Sequence, residues 1–410
     1  MNEKEYETKL LSTPYPKRDA YGALSMPVYH ALAYEFSTAE EMEAAFSGRT
    51  EEHTYSRVTN PTVQYFEERV KRATGAYGVT ALNSGMAAIS NTFITLAWSG
   101  SNLVTSRHLF GNTYSFFVKT LNAFGVEVRF CDLTNLEEVA EAIDERTCGL
   151  FVEVITNPQM EVADLEQLGR IAHNKHVPLI ADTTIVPFPI FRAVDFGVDI
   201  EVVSSTKYIS GGATSLGGLI IDYGLFDQYR APLLQALADS SRSPFHTRLR
   251  KEVHRNLGAY MTPEVAYVQS IGLETLPVRF ERQAAACKEL AGKLQSLPEI
   301  QGVNYTGLKG NPFYEVSKKQ FGDYPGAMLT FDLESKERCF GFLNKLKLIR
   351  RATNLFDNRS LIIHPASTIF GTFTAGQREM MDVKETTIRL SVGLESVDSL
   401  FGDIRQALAR

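Results

Sequence analysis

The sequence predicts an α/β protein: a mainly parallel, seven-stranded sheet flanked by helices, followed by a smaller α+β C-terminal domain. Three observations carry that prediction. From about residue 60, short apolar runs alternate with helical stretches. The last third of the chain has strand and helix signals of its own. Apolar runs also end in polar or glycine-rich turns, the place where sheets of this kind gather their functional loops.

The bulk properties suit this class. A chain of 410 residues has room for two or three domains and a large core. It is 44% hydrophobic and 22% charged, ordinary for a soluble globular protein. The net charge of −6 gives no field that favours nucleic acid. The basic run Arg248-Leu249-Arg250-Lys251 reads as a solvated face. Cys131, Cys148, Cys287 and Cys339 are far apart and form no C-x-x-C pair, which fits a reducing cytoplasm. The polar, acidic start has no signal-peptide core. No apolar run approaches the ~18 residues needed to cross a bilayer. A cytoplasmic protein with no membrane partner is expected.

Residues 1–60 read as an arm that packs on another subunit, with one short helix begun near Ser37 and stopped at Gly48. Residues 61–263 form the large domain. Asn60-Pro61 caps and opens its first helix, Val63, Phe66 and Val70 mark the apolar face, and Gly75 closes it. Strands are expected at Val79–Leu82, Asn102–Thr105, Val126–Phe130, Leu150–Ile155, Pro178–Ala181, Ile200–Val203 and Leu219–Ile221. A long helix from Pro263 through Leu294 bridges to the C-terminal domain, residues 264–410. That domain shows strands at Ala327–Leu333, Leu361–His364 and Thr387–Val392, and helices near Lys336–Leu346 and Val397–Leu408.

Four places bear chemistry. In Ser204-Ser205-Thr206-Lys207-Tyr208-Ile209-Ser210-Gly211-Gly212, a strand delivers hydroxyls and one lysine to a glycine-rich turn. A lysine held there beside a phosphate can form a Schiff base with pyridoxal phosphate. Asp182 ends the neighbouring strand, so it can face the same site and partner a protonated pyridine nitrogen; alone it would read as a cap or turn residue. Asn83-Ser84-Gly85-Met86 follows a strand and opens a helix, where small residues and the helix dipole suit an anion. Ser204 and Thr206 can complete that cradle, whereas no P-loop pattern is present. Arg389 lies inside the apolar strand Ile388-Arg389-Leu390-Ser391-Val392, where it must be paired or bind a ligand such as a carboxylate.

Tyr55 and Arg57, two apart in extended chain, point to one side and form either a surface turn or a phosphate clamp for a neighbouring subunit. His173 and His176 have helical spacing, but no third ligand is suggested, so no metal is expected. His364 reads as structural.

Together these motifs resemble the Cys/Met-metabolism group of pyridoxal-phosphate enzymes, the trans-sulfuration enzymes of fold type I. The resemblance spans nearly the whole chain. It is carried by Tyr55-Ser56-Arg57, Asn60-Pro61-Thr62, Ser84-Gly85-Met86-Ala87, Asn157-Pro158, Asp182, Ser204 to Lys207, His364-Pro365-Ala366-Ser367 and Arg389-Leu390-Ser391-Val392-Gly393-Leu394-Glu395. It implies that Lys207 holds the cofactor covalently and shuttles protons, and that Asp182 faces the ring nitrogen. It implies a phosphate site from the Gly85 and Met86 amides and the Ser204 and Thr206 hydroxyls, with Tyr55 and Arg57 reaching an adjacent subunit. Arg389 would hold the substrate carboxylate, with Asn354 also on the substrate side, and Asn157 the cofactor's hydroxyl side. A homotetramer of active dimers is implied.

Three positions depart from the family pattern. Phe110, in Leu109-Phe110-Gly111-Asn112, stands where a tyrosine usually stacks over the ring. Phe356, in Asn354-Leu355-Phe356-Asp357, stands where glycine is usual, and Asp-Asn-Thr becomes Asp182-Thr183-Thr184. The phenol is commonly assigned to acid–base work as the γ-substituent leaves. A thiolate leaving group has a conjugate-acid pKa near ~8.5 and a carboxylate's is near ~4, so losing the acid hurts an acyl substrate least. Tyr114, one turn on, is a candidate replacement. The expected reaction is that of an O-acetylhomoserine sulfhydrylase, with free sulfide, a thiol or a protein sulfur carrier as donor. A methionine or cystathionine γ-lyase, cystathionine γ-synthase and a non-catalytic cofactor-binding scaffold are the rivals.

Overall fold

The computed structural model describes residues 3–15 and 19–409, and the side chains from Tyr6 onward. Positions 1, 2 and 16–18 of the expected arm, and Arg410, lie outside the described residues. The large sheet has strands β1 (Gly78–Leu82), β2 (Asn102–Ser106), β3 (Glu127–Cys131), β4 (Thr147–Glu153), β5 (Leu179–Asp182), β6 (Ile200–Val203) and β7 (Gly218–Asp222), in the order β1-β7-β6-β5-β4-β2-β3. Every pair from β6 to β3 is parallel, and β7 runs antiparallel to both β6 and β1. The sheet is therefore mainly parallel, with its one reversed strand beside β6.

Strands covered on both faces read as continuous apolar runs. In β4, Leu150 and Val152 enter one core while Phe151 enters the other. The second core is organised by Phe93, Phe117 and Phe151, whose rings meet edge-on at centroid separations of 4.9, 5.4 and 5.6 Å. Burying each such side chain is worth ~1.5–3 kcal/mol.

The helix at Pro61–Thr74 forms as its caps require. The Asn60 side chain accepts from the Thr62 and Val63 amides, and Gly75 closes the helix at φ 75°. The short arm helix is present at Ala39–Phe46. A further helix, Glu3–Leu11, was not anticipated; its Tyr6 and Leu10 are buried in the core of their own chain. The long helix expected from Pro263 is two helices, Pro263–Glu274 and Leu276–Leu294. Pro277 explains the break, since it has no amide hydrogen and its ring collides with the carbonyl four residues back.

The second sheet has strands β8 (Gly302–Asn304), β9 (Met328–Asp332), β10 (Arg350–Arg351), β11 (Leu361–Ile363) and β12 (Thr387–Ser391), in the order β10-β11-β12-β9-β8. The very short β8 and β10 gave no sequence signal. In the centre of this sheet, Arg389 pairs in register with Ile363 and Thr330. A mainly parallel sheet with flanking helices and a separate smaller sheet is the fold type I architecture. Among the described residues no helix is long and apolar enough to cross a membrane.

Candidate active site

A cavity of about 790 Å³ opens where β4, β5 and β6 end, and loops of the second sheet close it from the other side. It brings together Ser84, Gly85, Met86, Phe110, Asn157, Asp182, Ser204, Thr206, Lys207, Asn354 and Arg389. Tyr55 and Arg57 are not part of it.

Lys207 follows β6 and donates from Nζ to Asn354 Oδ1 at 2.9 Å. Burial and the Arg389 charge push its amine down to about 8, against the pull of Asp182. Asp182, at the end of β5, accepts from the Thr184 amide at 3.0 Å. Burial pushes its carboxyl up, opposed by Thr184 and the Lys207 charge. A buried carboxylate of this kind is stabilised further by a cationic partner such as a protonated ring nitrogen.

Ser84 caps the helix Gly85–Leu96, its Oγ accepting from the Ala87 amide at 3.1 Å. That leaves the amides of Gly85 and Met86, which line the cavity, with the positive end of a twelve-residue helix behind them. Gly85 must be glycine: a Cβ there would lie 2.6 Å from the Cβ of Ser204. The Thr206 hydroxyl both donates to the Gly217 carbonyl, at 3.1 Å, and accepts from the Gly217 amide, at 3.0 Å, which fixes its direction within the wall.

Arg389 is 1% exposed. Its Nη1 donates to Asn157 Oδ1 at 3.2 Å and its Nη2 to the carbonyls of Thr353 and Asn354 at 3.1 and 3.4 Å. Its Nε has no partner among the described residues, and burial pushes the group down. A buried guanidinium paired to no carboxylate among the described residues is a site for an anion. The Asn157–Pro158 peptide is cis.

Phe110 lines the cavity, and its amide donates to Glu153 Oε1 at 2.6 Å. Glu153 also lines the cavity and was not singled out from the sequence. The available signal was a charged residue within Phe151-Val152-Glu153-Val154-Ile155, which must have partners once buried. Tyr114 faces elsewhere, stacked on Phe130 at 5.3 Å and tilted against Phe373 at 5.6 Å. Phe356 is also turned away, fully buried and stacked on Tyr208 at 4.1 Å. Arg57 donates to the Arg255 carbonyl and lies over the Tyr55 ring, beside a separate cavity of about 220 Å³. His173 bonds Asp199 at 3.0 Å, and His364 is satisfied by Ser367 and the Glu385 carbonyl.

These residues fit pyridoxal phosphate. The bare Gly85 backbone admits a phosphate against the helix end, the buried Asp182 suits a ring nitrogen, and a weakened amine lines the same cavity at Lys207.

Residues 7–409 match the family model of Cys/Met metabolism PLP-dependent enzymes. An O-acetyl-L-homoserine sulfhydrylase of Corynebacterium glutamicum is 31% identical across 98% of this chain and 97% of its own length. An L-methionine γ-lyase of Fusobacterium nucleatum is 34% identical across 96% of this chain and 95% of its own. Among solved structures, an O-acetylhomoserine sulfhydrylase of the Wolinella succinogenes methionine biosynthetic pathway is 47% identical, covers 86% of this chain and 99% of its own, and superposes with a TM-score of 0.76. A Campylobacter jejuni structure described as an O-acetylhomoserine (thiol)-lyase is 32% identical, covers 98% of this chain and 99% of its own, and has a TM-score of 0.91; it carries its cofactor as a pyridoxyl-lysine phosphate. The same chemistry that the cavity is built for thus recurs in proteins matching the chain from end to end, and the chain belongs to the Cys/Met metabolism family of PLP-dependent enzymes, with pyridoxal 5′-phosphate as its cofactor.

Proposed function

We propose that the chain replaces the γ-acyl group of O-acetylhomoserine with sulfur, forming homocysteine and releasing acetate. The observation that carries this reading is Phe110, an aromatic wall of the cavity without a hydroxyl, while the Tyr114 ring is held in apolar packing. With no phenol to protonate the departing group, a leaving group that departs as a weak base is favoured.

Pyridoxal phosphate bound at Lys207 supplies the electron sink that lets the Cα–H and Cβ–H bonds ionise. Arg389 takes the substrate carboxylate in its planar fork, whose plane is fixed by Asn157 and the Thr353 and Asn354 carbonyls. Asp182 would keep a proton on the ring nitrogen, and Asn157 would take the cofactor hydroxyl. The Gly85 and Met86 amides, with the Ser204 hydroxyl, would hold the phosphate, and the Thr206 hydroxyl would join them by turning from the Gly217 carbonyl. Lys207, a weaker base than ordinary lysine, accepts the protons of Cα and Cβ and later returns them. Between those transfers the Cγ–O bond breaks, acetate leaves with the electron pair, and the sulfur nucleophile forms the Cγ–S bond. Tyr55 and Arg57, outside their own cavity, serve the phosphate of a neighbouring copy in a homotetramer of dimers.

The test is product analysis with O-acetyl- and O-succinylhomoserine, each with sulfide, with a thiol, and with a protein-bound sulfur as donor. Homocysteine and acetate formed in proportion support the reading. Faster methanethiol release from methionine, or 2-oxobutyrate and ammonia despite saturating sulfide, would replace it with a γ-lyase. A cofactor absorbance shift with no product would point to a non-catalytic binder.

A further inference from the structure

Four ionisable side chains line the cavity: Glu153, Asp182, Lys207 and Arg389. The reading above uses three of them. Glu153 is 6% exposed, too buried to be a solvated strand end.

Its contacts are specific. Oε1 accepts from the Phe110 amide at 2.6 Å, and the Asn157 amide also donates to the carboxyl. The turn at Phe110 opens a short helix without any side-chain cap of its own, so Glu153 supplies the acceptor which that turn lacks. Across β4 and β5, Glu153 stands in register with Asp182. Three points of the cavity wall therefore converge on one carboxyl: the backbone that carries the Phe110 ring, the residue bonded to Arg389, and Asp182.

We propose that Glu153 is a positioning residue: its carboxyl bolts the turn bearing Phe110 to the strand end bearing Asn157 and holds both beside Asp182. The inference rests on the reading of this cavity as the cofactor site. Two buried carboxyls side by side do not both ionise. Asp182 has the Lys207 charge in its favour, whereas burial and the Asp182 charge push Glu153 well above the usual carboxyl range. Glu153 works as the neutral acid, an acceptor for backbone amides with no charge to compete with Asp182.

The distinguishing experiment uses the holoenzyme with Glu153→Gln and Glu153→Ala. Gln keeps an uncharged oxygen acceptor, and Ala removes it. The readouts are the visible circular dichroism of the bound cofactor, which reports a fixed asymmetric setting, and kcat against KM for O-acetylhomoserine. Glu153→Gln is expected within about threefold of wild type in both. Glu153→Ala is expected to lose most of the visible dichroism and at least about tenfold in kcat, with the far-UV spectrum unchanged. Wild-type dichroism and kcat in the Ala variant would overturn the proposal. So would a Gln variant as impaired as Ala, because that would mean the ionised charge is what matters. If the Ala chain does not fold, the Gln variant alone decides. Lys207→Ala separates the two levels. If borohydride still fixes the cofactor covalently to the Lys207→Ala chain, the reading of the cavity fails; if only the Glu153 variants are silent, the positioning inference fails alone.

Discussion

Asp382 holds a left-handed backbone, φ 52°, and from it sets a carboxylate 2.8 Å from Nε2 of His108. The other ring nitrogen of His108 meets Glu161 at 2.5 Å. An imidazole with a carboxylate on each nitrogen is a double donor, and therefore cationic. It joins the turn that carries Phe110 to a segment just before β12. Left-handed φ at a non-glycine residue is costly, so the ion pair offsets local strain.

This clasp gives stability a pH dependence of known sign. Burial lowers the His108 pKa, but Glu161 and Asp382 outweigh it and raise the group above 6.5. Its contribution is fully present below the unfolded value and is lost as pH rises through the folded one. Thermal unfolding of wild type and His108→Gln from pH 6 to 9 should show about 1–2 kcal/mol in favour of wild type at the acid end. The Asp382 carboxylate is well exposed, which keeps the figure modest. The two curves should converge above the folded pKa; parallel curves would mean the clasp is not ionic.

Lys207 is pushed down to about 8 by burial and by Arg389. Only the neutral amine attacks an aldehyde, so loading of the cofactor-free protein with pyridoxal phosphate should quicken as pH rises, with a midpoint near 8. Stopped-flow absorbance measures this directly. Arg389→Gln removes the cation, so its midpoint should move upward. A midpoint for wild type near ~10.4, the value of a free lysine, would contradict the burial seen here.

Phe110→Tyr returns a phenol to the cavity wall. Methanethiol release from methionine should rise at least about tenfold, because general-acid help matters most for the poorer leaving group. Acetate release from O-acetylhomoserine should change by less than about threefold. Tyr114→Phe should be silent with both substrates, given its packing on Phe130 and Phe373.

Phe356 takes a position of φ 53°, donates its amide to Ser391 at 2.7 Å and stacks on Tyr208 with planes 10° apart. Its ring is core rather than cavity wall. Phe356→Ala should cost about 3–5 kcal/mol in denaturant unfolding. It should leave the preference between acetyl and succinyl substrates unchanged; a switched preference would place the ring's influence in the cavity after all.

Strand positions were legible because buried strands are short, apolar and bounded by turns, as Pro178 to Asp182 shows. Asp182 and Lys207 could be placed together because both end neighbouring strands of a predictable sheet. What escaped was long-range or brief. His108 meets Asp382 across 274 positions of sequence, and no local pattern announces that pairing. Glu153 sits inside the apolar run Leu150–Ile155, and nothing in that run shows which way its carboxyl points until its exposure is known. β10 is two residues long, too short for alternation to register. The direction of Phe356 was not readable from its neighbours, since a single left-handed residue turns the side chain to the other side of the loop.

Asn354 touches both ends of the proposed substrate site. Its side chain accepts from Lys207 and its carbonyl from Arg389, at 2.9 and 3.4 Å. The proposed amine anchor and carboxylate anchor are thereby tied to a single residue. On the proposed reading, Asn354 would act as a ruler for molecules whose amine and carboxylate share a carbon. A β-amino acid with the same leaving group carries one carbon too many between its two anchors, and would sit out of step with the rule however well the rest of it fits.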